Sequence, residues 1–310
     1  MQVSITIFRS LFLLFVSFSV CNCQKTYNEP EDLAIPLDSS FSLPLETGLV
    51  ENDEIDEASG LAASRNHPGA LWTHNDSGAK SRIFLIDESG KTLGQVSLKG
   101  IDMRDWEDIS IGPGPKKGIQ YLYIAEIGDN EGKFKTKMIY RFPEPQTRKL
   151  KPPFKIELGK KDFETIEIKY PDGKRDAETL MIDPLTSDIY IISKREDSVH
   201  VYRMDNPQKP SKKPITMQKT GQLHFFKAVA GNISPDGTEI LVKNYANIYY
   251  WRRDPQESVA EALKRKPVRL PYLREPQGEA ITWKTDGSAF YTLSEERHGI
   301  EAKIYIYKRK

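Results

Sequence analysis

The sequence predicts an all-β chain folded as a β-propeller of five four-stranded blades, with six blades as the alternative. Three observations predict it. A short signature recurs five times, a pair of β-rich runs follows each copy, and the last copy is one strand short while a strand-like segment stands unassigned near the N-terminus.

The signatures are DEASGLAAS (56–64), DWEDISIG (105–112), DAETLMID (176–183), VAGNISPD (229–236) and GEAITWKT (278–285). Each turns through Gly, Pro, Asp or Asn into a second run: ALWTHNDSG (70–78), YLYIAEIGDN (121–130), DIYIISKRE (188–196), EILVKNYAN (239–247) and AFYTLSEER (289–297). Third runs follow as RIFLID (82–87), MIYRF (138–142), VHVYRM (199–204), IYYWRR (248–253) and KIYIYKR (303–309). A weaker fourth run follows in the first four units. Short strands at this recurrence describe propeller blades. The fifth unit ends after its third strand, so SFSLPLETGL (40–49) is expected to pair with 303–309 and close the ring.

The signatures lie 50 residues apart from Glu57 to Glu107 but 71 apart from Glu107 to Glu178. The excess falls in 147–174, read as an elaborated strand and loop or as a sixth blade. One helix is expected within 254–266, with Asp254 as cap, Pro255 in the first turn and Lys264, Arg265 and Lys266 at its end. The basic tracts at 208–214 and 263–269 are broken by proline and lack aromatics, so they read as solvated loops.

Composition narrows the function. The 310 residues carry 45 Lys plus Arg against 44 Asp plus Glu, a net charge of +1 that draws neither nucleic acid nor anionic lipid. Residues 1–23 set Arg9 before the apolar run LFLLFVSFSV (11–20), too short to span a bilayer but suited to a signal peptide. Cleavage before Gln24 is expected, leaving 24–39 as a linker and 40–310 as a single propeller domain. The chain is then exported, periplasmic or secreted, without a transmembrane span and monomeric. A lipoprotein anchored on Cys21 or Cys23 is the alternative. Those are the only cysteines, so the mature chain has no disulfide, thiolate or cysteine–zinc chemistry.

The chemistry should sit where first strands begin and second strands end, because antiparallel pairing brings both to one end of the central channel. The first set comprises Glu57, Glu107 with Asp108, Glu178, Asn232 and Glu279. The second comprises Asn75 and Asp76, Glu126 and Asp129, Ser193 with Lys194 and Arg195, Asn244 beside Tyr245, and Ser294 with Glu295. Carboxylates crowded at one mouth need neutralising, and an oxygen-only donor set suits Ca²⁺ or Mg²⁺ rather than zinc. The candidate cation ligands are Glu57, Asp76, Glu107, Asp108, Glu126, Asp129, Glu178, Glu279 and Glu295. Hydrogen-bonded locking of neighbouring blades is the alternative use of the same carboxylates. Glu107, Glu178 and His74 are the acid–base candidates. Lys194 and Arg195 are candidates for an anionic group, and Asn75, Asn244 and Tyr245 for substrate contact. His298 reads as a rim residue. GPGPKKG (112–118) imitates a phosphate loop, but its prolines remove the donors such a loop needs.

The strings EASGL, HNDSG, DWEDI, EIGDN, YPDGKRDAETL, NISPDG and QGEAI, in this order over about 50–310, resemble the bacterial exported propellers related to the esterase-like, phytase-like family. The resemblance implies a secreted propeller that binds calcium and hydrolyses phosphoesters or esters. Asn232 departs from it, standing where an acidic residue is common. A Ca²⁺-dependent hydrolase acting on a small-molecule or envelope ligand at the channel mouth is therefore expected. The alternatives are a non-catalytic binding propeller and a lactonase-like hydrolase.

Overall fold

The computed structural model describes residues 35–78, 80–208, 211–297 and 299–310. Residues 1–23, read above as a signal peptide, with both cysteines, most of the segment read as linker, and His298 lie outside the described residues. Closure is as expected. β1 (Leu45–Leu49) pairs antiparallel with the last strand, Leu45 opposite Ile306 and Leu49 opposite Lys303, and Phe41 bridges to Arg309.

Blade 1 is β2 (Ala58–Ala63), β3 (Ala70–Asn75), β4 (Arg82–Asp87) and β5 (Thr92–Leu98). Blade 2 opens with β6 (Trp106–Pro113), β7 (Gln120–Glu126) and β8 (Lys137–Pro143). The long interval then divides. β9 (Phe154–Leu158) returns to lie parallel on β5 as a fifth strand of blade 1, and β10 (Glu164–Lys169) supplies the outer strand of blade 2. The excess length is therefore not a sixth blade. Blade 3 is β11 (Ala177–Ile182), β12 (Ile189–Ser193), β13 (Val199–Met204) and β15 (Gln218–Leu223), while the short β14 (Ile215–Thr216) lies parallel on β10. Blade 4 is β16 (Ala230–Ile233), β17 (Glu239–Lys243), β18 (Ile248–Arg252) and β19 (Val268–Leu270). Blade 5 is β20 (Gly278–Trp283), β21 (Ala289–Ser294) and β22 (Lys303–Lys308), completed by β1.

The two inner strands of a blade are covered on both faces, so β2, β3, β11, β12, β20 and β21 are buried along their whole length. Each gap between adjacent blades is filled by its own apolar layer. Trp72, Trp106 and Tyr140 fill the gap between blades 1 and 2, and Met181, Tyr190 and Tyr249 the gap between blades 3 and 4. Leu61, Phe84 and Tyr291 join blade 5 to blade 1. Polar locks reinforce these seams. Asp183 and Arg253, both buried, pair through two bonds of 2.8 and 2.9 Å across blades 3 and 4. Glu144 accepts from Ser64 Oγ at 2.6 Å and Trp72 Nε1 at 2.9 Å across blades 1 and 2.

The helix is shorter than its sequence pattern and starts later. α1 spans Val259–Ala262 with Ser258 as N-cap, because Ser258 and Glu261 form a reciprocal capping box. Asp254 instead closes a turn, its carbonyl accepting from Glu257 N at 2.9 Å. Pro36 to Asp38, within the segment read as linker, run along β19, where Asp38 N donates to Arg269 O at 2.8 Å. Among the described residues no helix is long and apolar enough to cross a membrane.

Candidate functional site

The mouth is built by a register irregularity that recurs in four blades. Between β2 and β3, β6 and β7, β11 and β12, and β20 and β21, the pairing skips one inner-strand residue. The skipped residues are Ser59, Glu107, Glu178 and Glu279. A β-bulge of this kind re-aims the extra side chain and is favoured at functional rims. Three bulges therefore present a carboxylate at the channel mouth. The fourth presents Ser59, whose Oγ donates to Glu107 O at 2.9 Å.

This register corrects two sequence assignments. Glu57 is not the counterpart of Glu107. It lies two residues before its bulge and is exposed, and its carbonyl accepts from Asp76 N at 3.0 Å. Its counterparts are Asp176 and Gln277, whose carbonyls accept likewise from Lys194 and Glu295 N at 3.0 and 3.1 Å. Asn232 is not a neutral substitute in the ring of acids, because β16 pairs with β17 without a bulge. Its Oδ1 accepts from Trp283 N at 3.1 Å and stitches blade 4 to blade 5.

The same comparison reveals two carboxylates that the signature alignment passed over, Asp105 and Asp176. Each stands two residues before a bulge glutamate, and the D-x-E spacing in DWED and DAET is the signal that finds them. Two groups of three carboxylates result, Asp76–Asp105–Glu107 and Glu107–Asp176–Glu178, each with oxygens within 4.8 Å of one another. They line or adjoin a cavity of about 630 Å³ that also receives Glu279, Tyr245, Lys194, Arg195, Lys227 and Arg297.

The two groups differ in charge balance. In the second, Lys194 Nζ pairs with Glu178 Oε1 and lies 3.8 Å from Glu279, while Arg195 Nε binds Asp176 Oδ2 at 2.5 Å. In the first, no Lys or Arg among the described residues pairs with Asp76, Asp105 or Glu107. Burial, then Asp105 alongside, pushes the Asp76 carboxyl up to about 7. Burial, with Asp76 and Asp105 adding to it, holds Glu107 well above the usual carboxylate range. Asp105 is raised as well, chiefly by burial, and shares a hydrogen bond with Asp76. Burial and the neighbouring Glu279 lift Glu295 to about 9. One oxygen of the second group, Glu178 Oε2, is buried without a hydrogen-bond partner.

The other sequence candidates stand apart from this cluster. Asp108 points into the seam between blades, where its oxygens accept from Ile109 N and Leu180 N, both at 2.8 Å. Glu126 binds Arg104 Nε at 2.8 Å and Tyr140 OH at 3.2 Å. Asp129 is paired at 2.9 Å with the buried Lys137. His74 is fully buried against Trp106, and burial brings its pKa down to about 4, so it is a neutral wall residue. Asn75 ties the loop before β2 through Glu54 O and Asp56, and the Asn244 side-chain oxygen caps Ala246 and Asn247 N–H. Tyr245 does reach the cavity, where its hydroxyl donates to Glu279.

No family model matches this chain, and no curated protein matches it. Among solved structures it is similar to the PQQ-bound aldose sugar dehydrogenase of Streptomyces coelicolor, at 11% identity and a TM-score of 0.48, over 88% of this chain and 99% of that one. It is also similar to the Dos1 propeller, at 12% identity and a TM-score of 0.39, over 81% and 68% of the two chains.

Proposed function

We propose that this chain is an exported, Ca²⁺-dependent hydrolase of small phosphoesters or related esters, acting at the acidic mouth of its channel. The observation that carries the reading is the Asp76–Asp105–Glu107 group. Its oxygens lie within 4.8 Å of one another, the widest spacing at which two oxygens can both stand about 2.4 Å from one ion. No Lys or Arg among the described residues forms an ion pair with it, and it is packed directly on Gly128. A Cβ there would collide with Glu107 Oε1 and Asp105 Oδ2, so the missing side chain at 128 is what makes room for these carboxylates. A hard divalent cation fits this donor set.

A bound ion would supply Lewis-acid polarisation of the ester oxygen and compensate its growing negative charge. The rest falls to the chain's own groups. Lys194 holds Glu178 by Oε1, which leaves the unpartnered Oε2 to take the proton of an attacking water. The water oxygen bonds to phosphorus or the acyl carbon, the ester bond to the leaving oxygen breaks, and that oxygen collects a proton from solvent at the mouth. The order of strings quoted above, which resembles esterase-like and phytase-like propellers, supports the same class. Export rests on the signal-like residues 1–23.

The test is elemental analysis of purified protein, followed by a phosphoester, carboxylic ester and lactone panel with and without chelator. Ca²⁺ should bind, one ester class should turn over, chelator should abolish turnover, and Glu178→Gln should cut kcat by about 10²- to 10⁴-fold. Ca²⁺ binding without turnover would favour a non-catalytic binding propeller, and turnover of lactones alone a lactonase. Absence of any bound cation would refute the reading.

A further inference from the structure

Among the described residues four cationic side chains, Lys194, Arg195, Lys227 and Arg297, line the mouth, and three are already engaged. Lys194 is paired with Glu178, and Arg195 with Asp176 and Asn130. Arg297 donates to Gln277 and lies 4.0 Å from Glu295. Lys227 is different. Among the described residues it makes no ion pair, although it lines a cavity rich in carboxylates. Its ammonium stands 5.0 Å from the ring centre of Phe226 and 6.0 Å from that of Tyr245, faces that hold a cation without neutralising it.

The backbone at this point is equally unusual. Lys227 has φ +59, one of two non-glycine residues in the left-handed region among those described. That conformation penalises any residue with a Cβ, and glycine is its ordinary occupant. The position is fixed by its amide, which donates to Lys194 O at 3.0 Å at the end of β12. A strained residue that keeps a long cationic side chain over a functional cavity, where glycine would fit without strain, marks a group retained for what it binds.

We infer that Lys227 is the specificity-determining cation of the mouth, and that it recognises an acidic oxyanion group, phosphate or carboxylate, on the ligand. Lys194 and Arg195, the sequence candidates for this role, instead hold Glu178 and Asp176 in place. The inference builds on the hydrolase reading of this mouth. It divides the labour within it: Asp76, Asp105 and Glu107 face the cation, and Lys227 faces the anionic end of the substrate.

The experiment is calorimetric titration of the full chain, first with Ca²⁺, then with inorganic phosphate and separately with malonate, for wild type, Lys227→Met and Lys227→Gly. Anion affinity should fall at least about tenfold in both variants, the loss of one charge-assisted contact. Lys227→Gly should show no fall in melting temperature, because glycine accepts the left-handed backbone. The stronger of the two anions in wild type identifies the group recognised. Anion binding unchanged in Lys227→Met, or absent from wild type, would overturn the inference. If Ca²⁺ does not bind, the hydrolase reading fails by itself, and the same tenfold criterion applied to anion titrations without Ca²⁺ still judges Lys227.

Discussion

Ring closure rests heavily on one side chain, Phe41, and its removal offers a quantitative test. Phe41 is completely buried between blades 4 and 5, with its ring centre 5.2 Å from Phe290, 5.8 Å from Trp283 and 6.2 Å from Tyr250. The Arg309 guanidinium lies 4.7 Å from its ring centre. Its neighbours carry the backbone seam, Ser42 N donating to Lys308 O at 2.7 Å and Lys310 N to Ser40 O at 2.8 Å. Phe41→Ala leaves a cavity walled by three aromatic rings that are held by their own strands, so little collapse is open to it. Core Phe→Ala changes cost about 3–5 kcal/mol, and the upper half of that range is expected here. At about 2 °C per kcal/mol for a domain of this size, the melting temperature should drop by about 8–10 °C. Equilibrium unfolding in urea measures the loss directly. Leu43→Ala is the control, since Leu43 is 75% exposed two residues along the same segment and should cost under about 0.5 kcal/mol. A Phe41→Ala loss below about 1 kcal/mol, or one no larger than the control's, would refute the argument that this segment latches the ring.

Four further outcomes follow from the mouth and its surroundings. Saturating Ca²⁺ at about 100 times its Kd should add about 2.7 kcal/mol of stability, and Asp105→Asn should remove most of it, read as the thermal shift on chelation. Because Asp76 keeps its proton up to about 7 in the fold, the ion must displace that proton. Ca²⁺ affinity should therefore rise with pH up to about 7, and titrations at pH 5, 6 and 7 that give one affinity would contradict this. Gly128→Ala should abolish Ca²⁺ binding while leaving the circular dichroism of the strands intact, since the methyl group lands on Glu107 and Asp105. Lys243 is fully buried, and burial lowers its pKa to about 8, against an unfolded value near 10.4. Between those values the unfolded chain binds more protons, so stability should rise by about 2 kcal/mol from pH 8 to 10, and Lys243→Met should flatten that slope.

What could be read from the sequence was whatever a blade writes into its own residues. Inner strands buried on both faces must be apolar throughout, so the five signatures and their following runs stand out as a repeat, and a fifth unit lacking one strand points to its partner at 40–49. Glu107, Glu178 and Glu279 were legible for the same reason, as charges interrupting otherwise apolar inner strands. Other features depend on pairing between segments remote in sequence, and those only the tertiary structure decided. β9 lies parallel on β5 although three strands of the next blade separate them in sequence, which leaves no local mark and made 147–174 ambiguous. A bulge shifts register by a single residue, and that shift separates Glu57 from Glu107 and places Asn232 in a seam. Alternation along the strand then splits the adjacent Glu107 and Asp108, sending one to the channel and the other to the Leu180 amide. Which cation is engaged is likewise a matter of three-dimensional neighbours. Lys194 and Arg195 follow each other in sequence at a strand end and find carboxylates, whereas Lys227 reaches the same cavity from a loop beyond and, among the described residues, meets aromatic faces without an ion pair.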